Sequence, residues 1–345
     1  MAILTIVGAG MMGSALSFPL RDNGHTVRIA GTPLDEEIIA ELKKSSYHKT
    51  LKRTLPDGIS YYTAEQMQEA IDGCDVIIGG VSSFGVDWFM KEVIPHIPAS
   101  VPVISVTKGM MDRPDGSMVT YPELYRKSTE KPICFNAIGG PCTSYELADR
   151  DYTEVAFCGW DMAVLKKLKA LFETDYYHIT LSTDVRGVEC AVALKNAYAL
   201  AVSLAVGMSY RREGKEFEHY NSQAALFGQS VLEMQGLLKL CGEKGNNLPL
   251  GIGDLYVTVF GGRTRKIGVL LGAGMSFQDA MAELRGITLE SIVITERMAR
   301  AVRTLKKNGR IRAQDFPLLT HVDELVTQGK SVNIPWNAFE QEVQI

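Results

Sequence analysis

Short apolar runs alternate with amphipathic stretches through the first half of the chain. Ile3 to Val7 is apolar except at Thr5 and predicts a buried strand. It ends in Gly8-Ala9-Gly10-Met11-Met12-Gly13, a helical stretch over Ser14 to Asn23 follows, and Gly24-His25 turns the chain into a second strand, Thr26 to Ala30. Further strands are predicted at Val76 to Val81, after a helix over Ala64 to Ile71, at Val103 to Val106 and at Ile133 to Ile138. Strands separated by helices describe a βαβ series with a parallel sheet. From about Asp184 the pattern changes to long helical segments. Gly187 to Gly207 is small and apolar nearly all round, which predicts a helix buried in a domain core. The expected architecture is an α/β domain with a doubly wound, mainly parallel sheet over residues 1–184, followed by an all-α domain over 185–345.

The first turn carries a specific local signal. Strand, G-x-G-x-x-G, helix and strand follow one another within about 30 residues, the context that a dinucleotide fingerprint requires. Gly8 makes the tight turn, Gly10 lets the backbone approach a pyrophosphate, and Gly13 allows close helix–strand packing. The helix start then offers N–H groups and partial positive charge to the phosphates. The first domain is therefore read as a Rossmann domain for NAD or NADP. Such a sheet binds ligand at the carboxyl ends of its strands, which here carry Val81-Ser82-Ser83, Thr107-Lys108-Gly109 and Gly139-Gly140-Pro141-Cys142. Lys108 is a better candidate for the nicotinamide end than an isolated, solvated lysine would be. Where strict NAD use calls for an acidic residue, the second strand ends in Ala30-Gly31-Thr32-Pro33, with Asp35 only later. The choice between NAD and NADP stays open, leaning away from strict NAD.

Composition narrows the classes. With 345 residues, 46% hydrophobic and 22% charged, the chain reads as an ordinary globular protein of two domains. Its 36 basic and 40 acidic residues give a net charge of −4, so no nucleic-acid partner is expected, while a local basic pocket for a small anion is compatible with it. The 32 glycines exceed the usual ~7% share and call for turns or close contacts. Six cysteines without C-x-x-C spacing read as reduced thiols of a cytoplasmic protein, and six dispersed histidines without H-E-x-x-H suggest no metal. The N-terminus reads as a strand rather than a signal peptide. The longest apolar run, Ala197 to Met208, falls short of the ~20 residues a bilayer requires, so no membrane span is expected.

Candidate chemistry concentrates in the second half. Lys195, followed by Asn196, lies in the apolar helix. Buried charge is costly unless paired, so Lys195 is either a core-edge lysine whose head reaches water or a proton donor and acceptor for carbonyl–alcohol chemistry. Asp254, between Gly253 and Leu255, is a candidate counter-charge for a lysine, with a plain helix cap as the alternative. Gly261-Gly262 leads into Arg263, whose guanidinium fork suits a phosphate, while Arg265 and Lys266 read as a solvated helix start.

An ordered set of motifs connects these segments. It comprises Gly8 to Gly13, Thr107-Lys108-Gly109, Gly140-Pro141 with Glu146, Ala193-Leu194-Lys195-Asn196, Asn221, Gly253-Asp254-Leu255, Gly261-Gly262-Arg263, Glu290 and Gly329-Lys330-Ser331. In order and spacing the chain resembles the NAD(P)-dependent glycerol-3-phosphate dehydrogenases over essentially its whole length. Ile29-Ala30-Gly31-Thr32 and Gly80-Val81-Ser82 look most like archaeal members. The resemblance implies a catalytic lysine at Lys195, exchanging a proton as hydride moves to or from the nicotinamide. It implies Asp254 set against that lysine, Lys108 in contact with cofactor and substrate, and Arg263 on the phosphate. The implied cofactor contacts are Gly8, Gly10, Met11, Met12, Gly13, Thr32, Ser82, Lys108, Ser144, Arg263 and Glu290. The implied substrate contacts are Lys108, Gly140, Cys142, Lys195, Asn196, Asp254, Gly262, Arg263 and Thr264. A homodimer is implied by resemblance alone.

Several positions depart from the family's pattern. Thr264 follows Arg263 in place of Asn, Gln223 stands where a basic residue is usual, Gln229 stands where bacterial members often carry Arg, and Cys142 replaces Ser or Thr after Pro141. The leading expectation is reversible oxidation of sn-glycerol 3-phosphate to dihydroxyacetone phosphate. The departures motivate a second, the same chemistry on another phosphorylated polyol, ketose phosphate or anionic hydroxy compound. A third, a silent NAD(P)-binding regulator, requires loss of the lysine or its carboxylate, and both are present.

Overall fold

The computed structural model describes residues 1–214 and 217–340. Its strands are β1 (Ile3–Val7), β2 (Thr26–Ala30), the short pair β3 (Tyr47–His48) and β4 (Arg53–Thr54), β5 (Ile59–Tyr62), β6 (Val76–Gly79), β7 (Val103–Ser105), the hairpin β8 (Met110–Asp112) and β9 (Met118–Thr120), β10 (Phe135–Gly139), β11 (Thr153–Cys158) and β12 (Tyr177–Ser182). Eight of these form one sheet in the order β12-β11-β10-β7-β6-β1-β2-β5. Every neighbour pair in it is parallel except β10 with β11. The domain is the doubly wound, mainly parallel sheet that the sequence pattern predicts.

The middle of the sheet explains the apolar run at the start of the chain. In β1, Ile6 stands opposite Ile29 of β2 and Ile78 of β6, and all three are fully buried, as strands covered on both faces require. Thr5, the polar exception, is also buried and donates its hydroxyl to the Ala70 carbonyl at 2.6 Å. Arg28 lies inside β2 and reaches the carbonyls of Ala70 and Asp72. The helix expected over Ser14 to Asn23 is two helices, Met11–Ala15 and Ser17–Asp22, with a break at Leu16. Pro19 has no N–H for the Ala15 carbonyl, which accounts for the break. The third expected strand stops at Gly79 rather than Val81, and its extension becomes the loop that faces the glycine turn.

The chain divides into two compact units, residues 1–108 with 120–189 and residues 109–119 with 190–345. The division falls within the helix Val185–Glu213, and most of the hairpin β8–β9 belongs to the second unit. There Arg300 makes a two-pronged bond to the Asp112 carboxylate, and Arg297 donates to the Met110 carbonyl, tying the hairpin to the helix Glu290–Lys307.

Otherwise the second unit is helical. Its longest helix, Val185–Glu213, has the length and composition to cross a membrane, but 94% of its apolar window is buried inside the protein. The apolar run in the sequence is shorter than this helix because charged and polar residues, Arg186, Glu189 and Lys195 before it and Arg211 to Glu213 after it, belong to the same helix. The neighbouring helix Gly262–Gly272 lies almost against its backbone. A Cβ on Gly272 would stand 2.1 Å from the Leu204 carbonyl oxygen, and one on Gly207 would stand 2.1 Å from that of Val269. These glycines are placed by contact rather than by turn conformation.

Candidate active site

In the first unit the turn after β1 is built on two glycines. Gly8 has φ +105°, in the left-handed region, and a Cβ there would stand 2.9 Å from the Gly80 carbonyl carbon. A Cβ on Gly13 would stand 2.7 Å from the Gly8 oxygen, so the helix can start this close to the strand only with glycine at that position. Gly10 is different. A Cβ there would meet only the Gly80 oxygen, at 3.6 Å, so the space over Gly10 is open to a ligand. Gly80, from the loop after β6, packs on this turn, a contact that the sequence does not show because nothing local marks one loop as packing on another.

A cavity of about 320 Å³ opens beside this turn, lined by Gly8, Gly10, Thr32, Pro33, Ser82 and Phe84 among others. Asp35 also lines it and closes the loop after β2. One carboxylate oxygen accepts from the Thr32 N–H at 2.9 Å, the Thr32 hydroxyl at 2.8 Å and the Ala9 N–H at 3.1 Å. Met11 and Met12 begin the helix that follows Gly10, and Ser144 begins the helix Ser144–Ala148, where it is buried. The open backbone at Gly10, the helix start and the adjoining cavity fit a dinucleotide.

Lys108 leaves the end of β7 and donates to the Gly140 carbonyl at 3.1 Å, so the two strand-end glycine segments meet at this lysine. Cys142, two residues on, is half-buried. Glu189 is buried in the same unit, and burial pushes its carboxyl up to about 8, with the Lys108 ammonium acting the other way. No motif or spacing in the sequence singles out Glu189.

In the second unit the structure brings Lys195 to Asp254, with Nζ to Oδ1 at 2.9 Å. Asp254 lies inside the helix Leu248–Val259 and is 1% exposed, so it is not a helix cap. Lys195 Nζ also donates to Thr258 Oγ1 at 2.7 Å, and the Thr258 hydroxyl donates to the Asp254 carbonyl oxygen at 2.7 Å. The ammonium is thus held between a carboxylate and a hydroxyl one helical turn apart. Thr258 was not among the sequence candidates. Its four-residue spacing from Asp254 was the available signal. Asn196 is buried beside Lys195.

The remaining candidates sit nearby in sequence but differ in role. Arg263 and Thr264 belong to the first turn of the helix Gly262–Gly272, with Arg263 exposed and Thr264 buried. Arg265 is not merely solvated, since it binds the Glu218 carboxylate and the Val259 carbonyl, each at 2.8 Å. Glu290 is the first residue of the helix Glu290–Lys307. Gln223 donates to the His219 carbonyl within its own helical turn. Gln229 donates to Glu233, whose carboxylate also accepts from Tyr198 and from the N–H groups of Leu318 and Leu319 at the start of the helix Pro317–Gln328. Both glutamines thus make hydrogen bonds within the second unit.

Residues 3–164 match the N-terminal family profile of NAD-dependent glycerol-3-phosphate dehydrogenase, and residues 184–336 match its C-terminal profile. An NADP(+)-dependent glycerol-3-phosphate dehydrogenase of Archaeoglobus fulgidus is 33% identical over 334 residues, covering 96% of each chain. A glycerol-3-phosphate dehydrogenase [NAD(P)+] of Koribacter versatilis is 27% identical, over 96% of this chain and 94% of its own. The crystal structure of glycerol-3-phosphate dehydrogenase from Coxiella burnetii shares the fold with a TM-score of 0.79 at 22% identity, covering 98% of this chain and 97% of that one. The Saccharomyces cerevisiae enzyme does so with a TM-score of 0.78 at 19% identity, covering 99% of each. The chain belongs to the NAD-dependent glycerol-3-phosphate dehydrogenase family.

Proposed function

We propose that this protein is an NAD(P)-dependent oxidoreductase that interconverts sn-glycerol 3-phosphate and dihydroxyacetone phosphate. The observation that carries the reading is the Lys195 ammonium held by Asp254 and Thr258 in a largely buried setting. Reducing a ketone converts the carbonyl oxygen into an alkoxide, and the chain has to stabilise and protonate that oxygen. Lys195 donates its Nζ proton to it and becomes a neutral amine. In the reverse direction the neutral amine takes the hydroxyl proton back. Asp254 and Thr258 hold the Lys195 ammonium, so the protein rather than solvent sets its direction. The dinucleotide, when bound, supplies or accepts the hydride. Gly8, Gly10 and Gly13 shape its turn, with Met11, Met12, Thr32, Ser82 and Ser144 around it. Lys108 contacts cofactor and substrate, and Gly140 fixes it. Arg263 binds the phosphate, with Gly262 and Thr264 beside it.

The test is direct. The purified protein, given dihydroxyacetone phosphate with NADH or NADPH, is expected to oxidise the reduced cofactor and form sn-glycerol 3-phosphate. Faster turnover of longer ketose phosphates would overturn the substrate assignment. Lys195→Ala should lower kcat by about a thousandfold or more while cofactor still binds. Wild-type kcat in that variant would remove Lys195 from the mechanism.

A further inference from the structure

Ala9 lies between the first two glycines of the turn after β1, and both of its backbone polar groups are tied to side chains from elsewhere in the first unit. Its N–H donates to Asp35 Oδ2 at 3.1 Å, and its carbonyl oxygen lies 2.8 Å from His48 Nε2. His48 comes from β3 and is 1% exposed. A second bond decides the direction of the first. The Leu51 N–H donates to His48 Nδ1 at 3.1 Å, so Nδ1 is the bare acceptor and Nε2 carries the ring hydrogen. Nε2–H therefore donates to the Ala9 carbonyl. The Ala9–Gly10 peptide is trans, and in a planar trans peptide the N–H points opposite to the carbonyl. By holding the Ala9 carbonyl, His48 fixes the direction of the Gly10 N–H. Gly10 lines the cavity beside the turn, and a Cβ on it would meet only the Gly80 oxygen.

We propose that His48 is a positioning residue for the dinucleotide, holding the Ala9 carbonyl so that the Gly10 N–H is presented to the pyrophosphate. The proposal rests on the reading of this turn as the dinucleotide site. An N–H whose direction is already set binds a phosphate oxygen without a further ordering cost. Without the bond from His48, glycine at position 10 leaves the peptide free to turn, because glycine has little conformational preference of its own. The loss falls on cofactor affinity. It spares the chemical step, since the pyrophosphate is held alike before and during hydride transfer.

Two substitutions separate the two bonds of the ring. The amide nitrogen of Gln reaches the place of Nε2, so His48→Gln keeps a donor for Ala9. The shorter Asn reaches only the place of Nδ1, so His48→Asn keeps an acceptor for Leu51 and loses the bond to Ala9. The experiment records NADH and NADPH affinity by nicotinamide fluorescence without substrate, then cofactor KM and kcat with dihydroxyacetone phosphate. His48→Gln is expected to bind the preferred cofactor within about threefold of wild type, and His48→Asn about tenfold more weakly. At saturating cofactor, kcat should stay within about twofold of wild type in both variants. Wild-type cofactor affinity in His48→Asn would overturn the proposal. So would the reverse order, with His48→Asn nearer to wild type than His48→Gln, because His48 would then act only through Leu51. If neither variant folds, nitrogen-15 NMR of the wild-type ring decides. A hydrogen on Nε2 supports the proposal, and a hydrogen on Nδ1 overturns it. If the wild type binds neither NADH nor NADPH, the dinucleotide reading of the turn fails. If the wild type binds and both variants bind equally well, only the role of His48 fails.

Discussion

At the scale of residues, the chemistry depends on how one ammonium is held. Lys195 has a carboxylate at 2.9 Å and a hydroxyl at 2.7 Å, and the two contributions are separable. Asp254→Asn removes the negative charge, while Thr258→Val removes only a neutral hydrogen bond. Charge-assisted bonds are roughly twice as strong, so Asp254→Asn should lower kcat by about a hundredfold and Thr258→Val by about tenfold. Steady-state kinetics with unchanged NADH affinity checks this, and an inverted order would show that the hydroxyl does the orienting. Arg263 is exposed and carries no ion pair among the described residues. Arg263→Ala should raise KM for dihydroxyacetone phosphate by about tenfold or more and barely affect unphosphorylated dihydroxyacetone. Equal losses on both would deny it the phosphate.

At the scale of elements, the glycines of the second unit set how near its helices come. A Cβ on Gly272 would stand 2.1 Å from the Leu204 oxygen and 3.0 Å from the Gly207 Cα, both backbone atoms of the helix Val185–Glu213. That helix carries Lys195, so a shift here also moves the lysine. Gly272→Ala is expected to cost about 3 kcal/mol and to lower the melting temperature by several degrees. Gly228 is the control. It is exposed in the helix Tyr220–Cys241, and a Cβ would meet nothing within 4 Å. Gly228→Ala should be neutral or stabilise by up to ~1 kcal/mol. Equal melting shifts in the two variants would refute the close-packing account.

At the scale of the whole molecule, Glu189 links stability to pH. Its folded value of about 8 lies above the ordinary 4.5, so the folded state holds a proton that the unfolded chain releases. The stability this contributes is present below about pH 4.5 and is lost as pH rises through the window to about 8. Other groups titrate as well, including Asp22, which the side-chain bond from Arg150 holds below the usual carboxylate range. The useful quantity is therefore the difference between Glu189→Gln and wild type, in which the other groups cancel. The two should melt together near pH 5, and the variant should be the more stable by a few kcal/mol near pH 8. A difference independent of pH would show that Glu189 is not neutral when folded.

The amino-acid sequence alone determined what depends on neighbours along the chain. Apolar runs made β1 and β2 legible to the residue, the G-x-G-x-x-G spacing located the dinucleotide turn, and Lys195 stood out as a charge in an apolar helix. Periodicity and turn chemistry act over a few residues, so they can be read locally. Tertiary structure decided which groups meet. It put Gly80 against Gly8, Thr258 beside Lys195, and the hairpin β8–β9 on the helix Glu290–Lys307. It also buried Glu189 without a hydrogen-bond partner and tied Gln229 to Glu233. Burial and pairing depend on residues tens to hundreds of positions apart, and a local pattern records neither.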